Sequence, residues 1–340
     1  MSSTSPNVGQ DERRRRREAA RRRTRRQRLI ALLAVGVVIL VTGALVLAGT
    51  SIGGGEAAPT AAGSSGASGA APTPEPPKPP ELPRGGREIL PRYRVVGFYG
   101  APQDDALGIL GIGTPTRAGR RLRQVARDYR SGGRPVMPAF ELISTIVSGA
   151  PGDDGLYRYR QENRVIRRYL SAARRARALL VLDIQPGQAS FMSEVRAIRR
   201  WLKEPDVSLA IDPEWSMEPG EVPGQSIGST DAQTVNQVSA YLADIVRRGD
   251  LPQKMLLVHQ FTDDMIVNKR ALRRRSGIAL TINVDGFGNQ ANKISKYNAF
   301  TSGRRQFHDG FKLFYEEDTD LMSPQQVLRL RPKPDVVMYE

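Results

Sequence analysis

Eight short apolar runs alternate with amphipathic segments along residues 94–340 of this 340-residue chain. Each run has six to nine residues and is rich in Val, Ile, Leu and aromatic side chains. Continuous apolar runs of this length are typical of parallel strands that are buried on both faces. The runs lie at 94–100, 135–142, 178–184, 207–212, 254–261, 278–286, 311–317 and 335–340.

Seven segments with apolar residues at helical spacing separate these runs. The last of them, SPQQVLRLR, begins with Ser323, Pro324 and Gln326, which predicts a capping box with proline at the first helical position. Eight strands that alternate with seven helices predict an α/β fold, a (β/α)8 TIM-like barrel over residues 91–340. An open, doubly wound parallel sheet is the alternative.

A different composition precedes the predicted barrel. Residues 1–28 contain eleven arginines and three acidic residues, a net charge of +8 out of +16 for the whole chain. The next segment, Leu29 to Gly49, carries no charge and is long enough to cross a bilayer as a helix. Residues 51–90 are rich in Pro, Ala, Gly and Ser. We therefore expect a basic cytoplasmic tail (1–28), a transmembrane helix (29–50) and a disordered linker (51–90).

The order of these segments determines the expected location. Arginines beside a membrane span mark its cytoplasmic side, so we expect a single-pass protein of the cell membrane with its C-terminal domain outside the cell. The apolar segment is longer than a signal-peptide core and no sharp cleavage site follows it, which favours an uncleaved signal-anchor over a removed signal. Arginine blocks also bind nucleic acid, but the adjacent span makes the membrane the expected partner and nucleic acid an unexpected one.

Acidic residues gather at the carboxyl ends of the predicted strands, where barrels of this kind hold their active sites. They end the second, third, fourth, sixth and seventh runs. If strand geometry continues through Glu214, then Asp212 and Glu214 point the same way, and their proximity separates their pKa values. We predict these catalytic carboxyl groups: Glu214, Asp212, Asp183, Asp285 and Glu316.

Aromatic and amide side chains accompany the acids at the strand ends. Aromatic ring faces stack on sugar rings and polar groups bond their hydroxyls, which makes a carbohydrate the expected ligand. The predicted substrate-binding residues are Trp215, Tyr99, Gln260 and Tyr315. Glu141 and His259 also lie at strand ends, but we assign no role to them.

Each of these residues also has a structural interpretation. Asp212 could cap a short helix, Asp285 could belong to a turn, and Glu316 could lie in a solvated loop. A zinc amidohydrolase is disfavoured because the chain has two histidines, and the absence of cysteine excludes disulfides and thiolate metal sites. A Schiff-base enzyme is disfavoured because Lys254 and Lys312 fall at predicted strand starts. Ca²⁺ or Mg²⁺ held by oxygen ligands stays open, but we predict no metal ligand and no cofactor.

The sequence Asp212-Pro213-Glu214 at the end of the fourth strand resembles the catalytic Asp-x-Glu of chitinase-type glycosidases and of barrel-fold lysozymes. In those families the Glu is the proton donor, and in the chitinase type the Asp orients the N-acetyl group of the substrate. The resemblance implies hydrolysis of glycosidic bonds in a cell-envelope or extracellular polysaccharide, such as peptidoglycan, with Glu214 as the general acid.

The resemblance covers three residues, and the surrounding motifs differ. The chitinase motif has two further Asp residues where this chain has Val207 and Ala210, and the barrel lysozymes have an Asp on strand one where it has Gly97 and Tyr99. The alternative function is therefore a noncatalytic, surface-anchored binding or scaffold module, in which arginines on the outer helices hold an anionic wall polymer.

The expected topology can be tested with reporter fusions after residue 10 and after residue 340. We expect a reporter that works only in the cytoplasm to be active at the first site, and one that works only outside the cell to be active at the second. The reverse sidedness would contradict the assignment of the arginines as cytoplasmic.

Overall fold

The eight predicted strands form a closed parallel barrel in the computed structural model, which describes residues 78–130, 133–301 and 306–340. The strands are β1 Arg94–Gly100, β2 Val136–Val147, β3 Leu179–Ile184, β4 Val207–Ile211, β5 Lys254–Gln260, β6 Ile278–Val284, β7 His308–Leu313 and β8 Val336–Tyr339. The sheet closes because β1 pairs in parallel with both β2 and β8. The TIM-like barrel is thus confirmed, and the open-sheet alternative is wrong.

The expected tail, transmembrane helix and most of the linker lie outside the described residues. Within the part of the chain that the structure describes, no helix is both long enough and apolar enough to span a membrane. The anchor at residues 29–50 therefore stays a prediction.

Two strands differ from their predicted bounds by more than two residues. β2 continues to Val147 because its last residues pair antiparallel with the short strand Arg158–Arg160. β7 begins at His308, ahead of the apolar run, because His308 pairs in register with Thr281 of β6. This earlier start puts Lys312 next to the carboxyl end of β7, so its expected position at a strand start is wrong.

Helices cover the outside of the barrel, at α1 Pro115–Val125, α2 Asn163–Ala176, α3 Phe191–Ala197, α4 Arg199–Leu202, α5 Ala232–Arg248, α6 Gln290–Thr301 and α7 Pro324–Val327. Short 3-10 helices lie at Asp105–Leu107, Ile109–Gly111, Ala126–Tyr129, Pro213–Trp215 and Lys269–Ala271, and two further short strands at Thr230–Asp231 and Ile266–Val267 pair with each other. The predicted capping box of Ser323 and Gln326 is confirmed. One of the seven predicted helical segments, residues 268–277 between the fifth and sixth runs, does not form an α-helix, because left-handed Asn268 starts only one 3-10 turn.

Strand side chains alternate between two apolar clusters, as the pleat of a strand requires. Outward-facing residues such as Phe140 and Leu182 pack against the helices. Inward-facing residues such as Met137, Val181 and Leu257 fill the barrel. The interior is therefore solid toward the amino ends of the strands.

The segment before β1 closes the amino-terminal end of the barrel. Four of its residues are buried in the interior cluster: Leu82, Ile89, Leu90 and Tyr93. The Gln253 side chain accepts hydrogen bonds from the main-chain N–H groups of Ile89 and Leu90, at 2.7 and 2.9 Å. The expected linker overlaps this segment, so the folded region begins earlier than residue 91.

The contribution of this closing segment can be measured with Ile89→Ala. Ile89 is fully buried, so the substitution should lower the free energy of unfolding by about 2–4 kcal/mol through lost burial and a residual cavity. Ile112→Ala is the matched control, because Ile112 is 43% exposed and should change stability by less than about 0.5 kcal/mol. Urea denaturation of the full-length protein gives both values, and equal losses would contradict the closing role.

Candidate active site

Every barrel strand sends one polar side chain into the carboxyl end of the interior. On every strand except β7, this residue lies on the same face as residues of the interior apolar cluster further down the strand. In strand order, this polar layer consists of Tyr99, Glu141, Asp183, Asp212, His259, Asp285, Lys312 and Glu340. All are buried except Glu340, which is partly buried. Ionisable groups at such depth are costly unless their charges are paired or neutralised by protons.

His259 on β5 bridges two carboxylates. Its Nδ1 lies 2.8 Å from Asp285 Oδ2, and its Nε2 lies 2.9 Å from Glu141 Oε1. Burial alone would lower the pKa of His259, but the negative charges of Glu141 and Asp212 and the two hydrogen bonds raise it well above its usual value. In this arrangement the ring is an imidazolium that donates from both nitrogens.

Lys312 on β7 is the second buried cation of the layer. Its Nζ lies 3.1 Å from Asp285 Oδ2 and 2.6 Å from Glu340 Oε2. Burial would lower the pKa of Lys312, but Asp285 and then Glu340 raise it well above its usual value. Burial would likewise raise the pKa of Asp285, but Lys312 and His259 hold it far below its usual range. Asp285 is therefore a fixed anion.

The other acids of the pocket are shifted in the opposite direction. Burial, followed by the charge of Asp212, raises the pKa of Glu214 to about 8. Burial also raises the pKa of Asp212 and raises that of Asp183 well above its usual value. Burial outweighs Lys312 and brings the pKa of Glu340 to about 7. Carboxyl groups with raised pKa values thus lie beside a carboxylate whose pKa is lowered, the division on which general acid–base catalysis depends.

Five predicted site residues contribute to this pocket: Asp183, Asp212, Glu214, Asp285 and Tyr99. The Tyr99 hydroxyl donates to Asp183 Oδ2 at 3.4 Å and accepts from Gln185 Nε2 at 3.1 Å. Asp212 Oδ1 is buried and has no hydrogen-bond partner among the described residues. Glu214 is partly exposed, which places it nearer the solvent than the rest.

Two predicted site residues lie elsewhere. Glu316 is exposed on the turn after β7, and within the described ranges it forms no hydrogen bond or ion pair with the polar layer. Tyr315 stacks on Tyr339 with 5.1 Å between ring centres, and Arg121 of α1 lies 4.7 Å from its ring. Because Tyr339 faces outward from β8, Tyr315 belongs to the layer between strands and helices.

Trp215 and Gln260 are near the strand ends but are engaged by their own surroundings. Trp215 is 8% exposed, which leaves little ring surface for a sugar. The Gln260 side chain donates to the carbonyl of Thr262 at 3.1 Å and accepts from Lys269 Nζ at 2.5 Å. Its amide therefore holds the loop after β5 in place.

The Asp212–Glu214 segment does not continue the strand. β4 ends at Ile211, and Pro213–Trp215 forms a 3-10 turn with Asp212 as its N-cap residue. The expectation that strand geometry orients both carboxyl groups is therefore wrong. Asp212 makes no side-chain capping bond, and its charge still reaches Glu214 strongly enough to raise the pKa of that carboxyl.

Four members of the polar layer were given no role by the sequence: Glu141, His259, Lys312 and Glu340. Parity along the strand identifies Glu141, His259 and Glu340, because each stands an even number of residues after an apolar inward position. Lys312 cannot be identified in this way, because β7 begins at His308, before its apolar run.

No model of a known protein family matches this chain, and no curated protein matches it significantly. The fold by itself does not assign an activity, because barrels of this kind support many chemistries. The chemistry of the pocket therefore rests on its own residues.

The charge pairing of the polar layer can be tested with Lys312→Met. The substitution leaves Asp285 and Glu340 without their cation, and it should lower the free energy of unfolding by about 3–5 kcal/mol near pH 6. The depressed pKa of Asp285 gives stability that is present above its unfolded pKa of about 4, and the raised pKa of Lys312 gives stability that is present below about 10. The loss should therefore shrink by about 1.4 kcal/mol for each pH unit below about 4, because the unfolded chain then binds a proton while Asp285 of the folded wild type stays ionised, and it should be measurably smaller at about pH 3 than at pH 6.

Lys254→Met is the control for this comparison. Lys254 is equally buried, but its Nζ donates to the main-chain carbonyls of Glu204 and Val207. Burial lowers its pKa to about 7, so its contribution is constant at lower pH, and the control should lose the same amount at both pH values. Equal losses at both pH values in Lys312→Met would show that Lys312 acts through packing instead of charge.

Proposed function

We propose that the barrel hydrolyses glycosidic bonds in a cell-envelope or extracellular polysaccharide, with Glu214 as the general acid. The supporting observation is the opposite pKa shift of two carboxyl groups that interact electrostatically at the carboxyl end of the barrel. The pKa of Glu214 is raised to about 8, and that of Asp285 is held far below its usual range. Glycoside hydrolysis needs one carboxyl group that carries a proton and another that carries charge.

The surroundings of each carboxyl group support its role. Glu214 is partly exposed and has no side-chain partner among the described residues, so it is free to protonate the leaving oxygen. Asp285 stays ionised between His259 and Lys312 and supplies the charged carboxylate of the pair. Asp212 Oδ1, buried without a partner, is available to a hydroxyl or N-acetyl N–H of the substrate, the role that the chitinase resemblance implies. Neither exposed Glu316 nor the deeper Asp183 is needed in this scheme.

The predicted anchor gives the activity a location. A membrane span at residues 29–50 and a linker that follows it would hold the barrel outside the cell, within reach of peptidoglycan or another wall polymer. Both segments lie outside the described residues and are part of the proposal.

Glu214→Gln tests the proposal directly. The amide cannot donate the proton, so turnover should fall by about 10²–10⁴-fold, while unfolding at pH 6 should change little. The assay is release of reducing ends from purified wall glycan and a panel of polysaccharides by the full-length protein. Glu218→Gln is the matched control, because Glu218 is exposed and four residues away, and it should keep the wild-type rate.

The pH profile provides a second readout of the same group. Because Glu214 acts in its protonated form, the wild-type rate should fall as pH rises through about 8. An unchanged rate in Glu214→Gln would remove this residue from the mechanism. Binding of wall material without cleavage of any glycan would instead favour the noncatalytic binding module.

A further inference from the structure

Three buried side chains of the polar layer converge with the spacing of metal ligands. One donor atom from each of Glu141, Asp183 and His259 lies within 4.8 Å of the other two. The three residues are at most 1% exposed. One imidazole and two carboxylates form a ligand set that proteins use for divalent transition cations.

Two oxygens of this trio have no partner. Glu141 Oε2 and Asp183 Oδ1 are buried and accept no hydrogen bond from the residues that the structure describes. Glu194, another fully buried carboxylate, differs because Arg158 and Arg160 pair with both of its oxygens. A buried carboxylate oxygen without a donor is costly, and a cation between the two carboxylates would remove that cost.

His259 has the orientation of a metal-bound histidine. Its Nδ1 lies 2.8 Å from Asp285 Oδ2, which leaves Nε2 directed at Glu141. Histidines that bind metals usually give their other ring N–H to a carboxylate. Asp285 is itself fixed, because its Oδ1 accepts the N–H of Gly286 at 2.6 Å and its Oδ2 contacts Lys312. The ring plane is therefore set in advance of any ligand.

We propose that Glu141, Asp183 and Nε2 of His259 bind one divalent transition cation of the Zn²⁺ or Mn²⁺ class inside the barrel. The cation takes the place of the proton between Nε2 and Glu141 Oε1. An imidazole ligand favours these ions over Ca²⁺ and Mg²⁺, which prefer oxygen ligands. The chain has only two histidines, but one His that meets two strand-end acids is enough for a three-ligand site. The site does not depend on the proposed glycosidase activity, because Glu214 is not one of its ligands.

Calorimetric titration of chelator-treated, full-length protein with Zn²⁺ tests the site. Background binding should be low, because the chain has no cysteine and only two histidines. We expect one equivalent of Zn²⁺ per chain and far weaker binding of Ca²⁺ and Mg²⁺. Loss of an outer-shell partner already weakens metal affinity by about 10–100-fold, so His259→Gln and Asp183→Asn, which remove ligands, should each lower it by at least about 100-fold.

His308→Gln is the matched control. Its Nδ1 also lies 2.8 Å from an aspartate, Asp335, but His308 is not part of a ligand cluster in the described residues, so Zn²⁺ affinity should be unchanged.

Thermal unfolding with and without Zn²⁺ shows which variants fold. If His259→Gln does not fold, Asp183→Asn alone provides the test. No stoichiometric binding by the wild type, or wild-type affinity in both ligand variants, would overturn the proposal. Glycan cleavage by chelated wild-type protein is recorded in parallel, so failure of the metal site and failure of the glycosidase proposal are separate results.

Discussion

The pairing of Asp285 with two buried cations is the interaction on which the interior of this barrel depends. His259 and Lys312 both contact Oδ2 of Asp285, and each extends the network to a second acid, Glu141 and Glu340 respectively. Taking an unpaired charge out of water costs several kcal/mol even after relaxation. The barrel can therefore hold this many acids only because cations on neighbouring strands meet some of them.

The same network explains why the pKa values of the remaining acids are raised. The two cations are fully engaged by Asp285, Glu141 and Glu340, and burial then dominates the pKa values of Asp183, Asp212 and Glu214. Protonation is the cheaper way to bury a carboxyl group that has no counter-charge. Because there are fewer cations than acids, Asp285 has a lowered pKa, whereas Asp183, Asp212 and Glu214 have raised pKa values.

Much of the fold can be predicted from the sequence, because each barrel strand is buried on both faces and therefore appears in the sequence as a continuous apolar run. The polar layer is harder to predict from the sequence. Asp183 and Asp285 lie near the ends of their apolar runs and are easy to identify. Lys312 is not, because β7 begins at His308, where it pairs with β6, and not at the start of its apolar run. Tyr315 and Glu316 show the converse error, since they follow the end of β7 and the chain has already turned away from the barrel axis. Two properties decide which strand-end residues converge: the face of the strand on which the residue lies, and the residue at which the strand ends. Amino-acid composition contains neither.

The two ends of the barrel are also physically different, and this bears on how a substrate reaches the pocket. The segment containing Leu82 and Ile89 fills the amino-terminal end with apolar side chains, so access through that end is closed. The polar layer lies at the opposite end, where Glu214 is partly exposed. The chain that leads toward the predicted anchor therefore leaves the barrel from the closed end. An anchor at residues 29–50, as predicted, would join the barrel at its apolar end, opposite the polar layer.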